Sequence, residues 1–153
     1  MSLQLELNQK TAAAERYKLQ PFSDDLFSVN SLGRFAVFLH AESVDQGLLT
    51  MYCPLLKFGP AELDRAVMLR LLQLNQPTDP AHQYRVGVDV NSQLWLTVVM
   101  PVSEFLKPEC QVDRLLDVFI TQANEVLAAL DDVQAEPAPA AEDLITPSQM
   151  LWG

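Results

Sequence analysis

The sequence predicts an α+β domain, an antiparallel sheet of about five strands with three helices in the order α-β-β-β-α-β-β-α. Three observations carry this. Apolar, β-branched runs of strand length come in pairs separated by short turn signals, RFAVFLHAE (34–42) with GLLTMYCPL (47–55) and YRVGVDV (84–90) with QLWLTVVMPV (93–102). Connections that short make neighbouring strands antiparallel. Helical periodicity appears between the two pairs and again after the second.

The elements follow in order. LQLELNQKTAAAERYK (3–18) holds good helix formers and no Gly or Pro, so a helix is expected within it, and Pro21 closes the segment. Asp24-Asp25 and Asn30-Ser31 with Gly33 mark turns around a short FSV strand. The next two runs form a hairpin about Asp45-Gln46-Gly47. Both are apolar on both faces: Phe35, Val37 and Leu39 share one side, Ala36 and Phe38 the other. A sheet covered on one face alone would alternate more cleanly.

Gly59-Pro60 is expected to open the second helix, with Pro in the first turn and Glu62 and Asp64 near its positive end. Leu63, Val67, Leu71 and Leu74 repeat at helical spacing, and Met68 and Leu72 widen the stripe. Asn75-Gln76-Pro77 ends it, and Thr78-Asp79-Pro80 leads into the second hairpin. There Val86, Val88 and Val90 alternate with polar residues, and Asn91-Ser92 turns the chain. Pro108 is expected to start the last helix, whose Val112, Leu115, Leu116, Phe119, Ala123, Val126, Leu127 and Leu130 give the cleanest amphipathic pattern in the chain. The predicted domain covers residues 1–130. Residues 131–153 read as a flexible, acidic, Ala/Pro-rich tail closing on the apolar Met150, Leu151 and Trp152.

At 153 residues and 49% apolar, the chain can build one core. Its net charge of −10 includes five acids in the tail, where no Lys or Arg follows Leu130. The ten basic residues are scattered singly, which argues against nucleic acid and anionic membrane as partners. No apolar run approaches the roughly 20 residues of a membrane helix. MSLQLELNQK lacks the basic and apolar regions of a secretory signal, and Cys53 and Cys110 have no disulfide or metal pattern, so a reducing cytoplasm is expected.

No catalytic constellation is present, and the expectation is a protein without enzymatic activity, metal or cofactor. His40, in a strand, and His82, in a loop, have no neighbour at ligand or triad spacing. Cys53 reads as a buried core residue rather than a nucleophile. No glycine-rich phosphate loop occurs among the five scattered glycines. What the pattern holds in excess is apolar surface, more than three helices can cover, and such a surplus points to a partner.

The helix ending MLRLLQLNQ (68–76), the strand YRVGVDVNSQLWL (84–96) after it, GLLTMYCPL ahead of it and the long amphipathic last helix together resemble the class I chaperones of bacterial type III secretion, the Tir-chaperone or SycE-like family. The resemblance spans roughly residues 3–130; the tail and the weakly amphipathic first helix depart from it. It implies a cytoplasmic bacterial homodimer, associated with virulence. Its ligand would be the N-terminal region of a secreted effector, held extended and then passed to the secretion ATPase. The two-fold interface would use Leu63, Val67, Met68, Leu71, Leu72 and Leu74 with Val86 and Val88. An extended peptide on a sheet edge gains backbone pairing, and pockets for alternate side chains give selectivity. Phe38, Tyr52, Trp95 and Val99, on the face assigned away from the helices, are the candidate effector-binding residues. The alternative is a regulatory or scaffolding module of the same fold that binds a folded partner. Met150, Leu151 and Trp152 are candidates for a ligand of the domain's own groove, or for an address read by another component.

Overall fold

The computed structural model describes residues 2–42, 47–75, 84–133 and 135–137. They form α1 (Leu3–Ala12), β1 (Phe27–Leu32), β2 (Phe35–Ala41), β3 (Leu48–Phe58), α2 (Arg65–Leu74), β4 (Tyr84–Val88), β5 (Gln93–Pro101), α3 (Val102–Phe105), α4 (Val112–Ala129) and β6 (Ala135–Pro137). The α+β class and the antiparallel sheet are as the sequence predicts. The strand order is β1-β2-β3-β5-β4, and β6 adds to β3 off this path.

β3, at 11 residues the longest strand, organises the sheet. β5 pairs it from Leu48↔Pro101 to Lys57↔Gln93, with a register shift between Pro54 and Leu56. A bulge is where a strand tolerates a proline, which has no N–H to give to the ladder. β2 pairs β3 only from Ala41↔Leu49 to Phe38↔Tyr52, so the far half of β3 has no β2 partner. The β1–β2 connection is two residues, with Gly33 at φ 63, a conformation that such tight hairpins require and that glycine adopts without strain.

Alternation along the strands sorts the side chains into two faces. Val37 and Leu39 of β2, Leu49, Met51 and Cys53 of β3, and Leu94, Leu96 and Val98 of β5 pack into one core with the helices. α4 supplies Leu116, Phe119 and Ala123, α1 supplies Leu7, α3 supplies Phe105, and α2 supplies Val67 and Leu71. The amphipathic stripe read for the last helix is therefore its inner face, with Val112, Leu115 and Val126 also buried.

α1 stops at Ala12 because α4 competes for the backbone that follows. Asp113 accepts hydrogen bonds from the N–H groups of Glu15 at 2.8 Å, Arg16 at 3.2 Å and Tyr17 at 3.3 Å. One turn on, Asp117 accepts from the Tyr17 hydroxyl at 2.6 Å and pairs with the Arg16 guanidinium. Ser28 and Asn30, both buried, are satisfied by the same segment, through the Gln20 carbonyl at 2.8 Å and the Gln20 N–H at 2.5 Å.

Other boundaries move for identifiable reasons. α2 starts at Arg65 instead of Gly59-Pro60, because the Asp64 carboxylate accepts from the Val67 N–H at 3.0 Å and caps it there. The last helix begins at Val112 instead of Pro108, after the separate short helix α3. β4 ends at Val88 because Asp89 folds into the turn, its Oδ1 accepting from Asn91 at 2.8 Å and Gln93 at 3.0 Å. The tail expected to be free from Asp131 is tethered at its start. Arg70 of α2 donates to Asp132 at 2.6 and 2.9 Å, and β6 then joins the sheet.

Asp64→Ala should lower unfolding free energy by about 1 kcal/mol, read from the urea midpoint, because it removes the α2 cap. Asp117 is held below the usual carboxylate range by the Tyr17 hydroxyl and then by Arg16. Its stabilising effect is present above its unfolded-state pKa and lost as pH falls through the folded value. Asp117→Asn should therefore flatten the acid side of the stability–pH curve, measured by thermal melts across acidic buffers.

Candidate functional site

The second face of the sheet carries an aromatic cluster. β-strand alternation and the β2–β3 register place Phe38 opposite Tyr52, and Trp95 lies on β5 opposite Pro54. The Phe38 and Tyr52 rings stack at 5.3 Å with planes 5° apart, and Trp95 meets them at 6.0 and 5.9 Å, tilted by about 60°. Phe27 stacks on Phe38 at 5.8 Å. The indole N–H of Trp95 donates to Asp89 Oδ2 at 2.8 Å, while the other oxygen of that carboxylate holds the β4–β5 turn. One acid thus fixes both the hairpin and the orientation of the ring.

The sequence brings Phe38, Tyr52 and Trp95 together correctly, on the face away from the helices, but the expectation of open pockets is corrected. These side chains are 3, 1 and 6% exposed. Burial raises the Tyr52 phenol pKa, as it must for a hydroxyl withdrawn from water. Among the described residues, the apolar neighbours of the cluster are Phe27, Val29 and Ala36, all from β1 and β2. Val99, the fourth candidate, is on the same face near its end, opposite Thr50, and is 47% exposed.

The stripe expected at a two-fold interface divides. Val67, Leu71 and Val86 are buried in the chain's own core and cannot present to a partner, a correction to the sequence reading. The reason is geometric: residues four apart share a helix face, and α2 spends that face on the sheet. Leu63, Leu74 and Val88 are half-buried against the same core. Met68 and Leu72 point outward, and Leu69, which the sequence reading missed, joins them; the three are 48, 65 and 51% exposed. The signal was present, since Leu69 precedes Leu72 by one turn. Asn75 closes α2 onto the edge strand β4, its side chain donating to the Val86 carbonyl at 2.9 Å and accepting from the Val86 N–H at 2.6 Å. An edge strand whose backbone is met this way is less open to strand addition.

The third surface is the edge of β3 that β2 leaves free. Ala135–Pro137 pairs there, Phe58↔Ala135, Lys57↔Glu136 and Leu56↔Pro137. Ala, Glu and Pro have poor strand propensity, so backbone pairing at the vacant edge accounts for this strand.

Neither cysteine is set up as a nucleophile. Burial pushes the Cys53 thiol up to about 12 and also raises the half-buried Cys110. Among the described residues, no group of His, Cys, Asp or Glu could hold a metal ion, and no helix is long and apolar enough to cross a membrane. His82 and the apolar Met150, Leu151 and Trp152 lie outside the described residues. No known family model matches the chain, and no curated protein matches it.

Asp89→Ala should cost about 1–3 kcal/mol, because it strands a buried indole donor and loosens the hairpin. Denaturant unfolding followed by near-UV circular dichroism of Trp95 reads both effects.

Proposed function

We propose that this chain is a homodimeric, non-enzymatic chaperone of the bacterial cytoplasm. It would hold the N-terminal region of a type III secreted effector in extended form for hand-over to the secretion ATPase. The observation that carries the reading is the β3 edge. It takes up an extended Ala-Glu-Pro segment that has little intrinsic reason to be a strand. An edge that recruits such a sequence through backbone groups can recruit many sequences, and neighbouring side-chain contacts then supply selectivity. That is the requirement for keeping a client unfolded without reading one fixed structure.

The exposed row on α2 supports the dimer. Met68, Leu69 and Leu72 lie together on one helix, and a two-fold axis beside that helix would set the row against its own copy. The resemblance in sequence points to the same helix. Acidic composition suits a basic client segment through steering rather than tight contact.

Leu72→Glu should convert the dimer to a folded monomer, with unchanged circular dichroism, because it puts charge on an exposed apolar patch. Leu71→Glu should instead unfold the chain, because it places an unpaired charge in the core. Sedimentation velocity at micromolar concentration separates the two; a wild-type chain that sediments as a monomer contradicts the dimer. For the client, the chain is co-expressed with the first hundred or so residues of a secreted protein encoded beside it. Capture of that segment in a protease-sensitive form supports the chaperone. Capture of a compact, protease-resistant partner instead supports a scaffolding module.

A further inference from the structure

We propose that β6 is a guard strand: it closes the free edge of β3 while no partner is bound, and an extended partner segment has to displace it. The inference rests on the reading that this edge accepts extended chain, and it adds how access to the edge is regulated.

The grip of β6 follows from hydrogen-bond alternation. The Phe58 N–H donates to the Ser92 carbonyl at 2.9 Å, on the β5 side of the strand. Successive residues of a strand turn their backbone groups to opposite edges, so those of Lys57 point toward β6. Lys57↔Glu136 is therefore the bonded pair, and Phe58↔Ala135 and Leu56↔Pro137 are the non-bonded pairs beside it. Pro137 stands where the ladder asks nothing of its nitrogen. An N–H at that position would point outward, to the new edge that β6 itself exposes. Proline there blunts that edge against further strand addition. β6 thus covers the edge of β3 without opening another in its place.

The hold is local and modest. A single bonded residue pair joins β6 to the sheet. Ala135 is the fifth residue after the buried Leu130 at the end of α4. Between them, Arg70 of α2 donates to Asp132 at 2.6 and 2.9 Å and ties the connection down. Both side chains reach solvent, so water and salt screen the pair, and it biases β6 toward the edge without locking it there. A tether this short gives β6 an effective concentration on the order of millimolar. An incoming segment competes with that, and its apparent affinity falls by the fraction of chains in which the edge is open. Length favours the newcomer. β2 pairs with β3 only as far as Phe38↔Tyr52, so among the described residues no strand lies on this edge between Leu56 and Tyr52. The partner that fits is an extended segment longer than β6 that can run on into this stretch.

The test uses full-length chains and two neighbouring amides. The Lys57 N–H is covered by β6, whereas the Phe58 N–H is held by Ser92, so their hydrogen exchange separates opening of β6 from opening of the sheet. Lys57 is expected to exchange faster than Phe58 in the wild type, and several-fold faster still in Arg70→Gln, with Phe58 unchanged. Equal protection of the two amides, or a Lys57 rate unmoved by Arg70→Gln, would overturn the proposal. A second measurement uses Ala135→Pro with Glu136→Pro, which removes the remaining N–H groups of β6. A short labelled peptide of alternating Thr and Val is the probe, read by fluorescence anisotropy. Binding several-fold tighter to this variant than to the wild type is expected. Equal affinity for both chains, or no binding to either, would overturn the guard role. The peptide is not a secreted client, so a failure to capture one bears on the chaperone reading alone.

Discussion

The strand β3 has to bury apolar side chains on both of its faces, and the helices can cover only one. Leu49, Met51 and Cys53 belong to the core that β3 shares with α3 and α4; Tyr52 and Pro54 face the other way. Burying a large apolar side chain is worth about 1.5–3 kcal/mol, so three aromatic rings left wet on the second face would be a substantial loss. The ring stacking around Tyr52 recovers part of this within the sheet.

The same strand sets the other surfaces. β3 outruns β2, and the extra length is what leaves an edge for β6. The bulge near Pro54 lies next to that edge and opposite Trp95, so the end of β2 pairing, the aromatic cluster and the added strand meet in one place. α2 is drawn onto the sheet by Val67 and Leu71 and locked to β4 by Asn75. Its outer residues are thereby turned away from the core, which is how a short helix comes to present Met68, Leu69 and Leu72. Arg70 on that helix holds Asp132, so α2 also positions the start of the segment that becomes β6.

Much of this was legible in the sequence because period-two and period-3.6 patterns report local facing. The split of Phe35, Val37 and Leu39 from Ala36 and Phe38 is the split between the helix face and the aromatic face. The same alternation placed Tyr52, Trp95 and Val99 on one side. What was not legible depended on contacts distant in sequence. The end of α1 is set by Asp113, about a hundred residues away. β6 has no propensity signal, because its cause is a vacant edge on another strand. The inward turn of Leu71 and the outward turn of Leu72 could not be separated while both were apolar, since the stripe was wide enough to fit either orientation. At the start of α2, a proline rule competed with a capping aspartate, and the side-chain hydrogen bond won.

The central claim is that the edge of β3 left free by β2 takes up extended chain through its backbone. Backbone nuclear Overhauser contacts between β3 and β6, observed in the full-length chain, test it most directly. Cross-strand contacts at Phe58↔Ala135, Lys57↔Glu136 and Leu56↔Pro137 are expected. Their absence, with the β2–β3 and β3–β5 contacts intact, would contradict it.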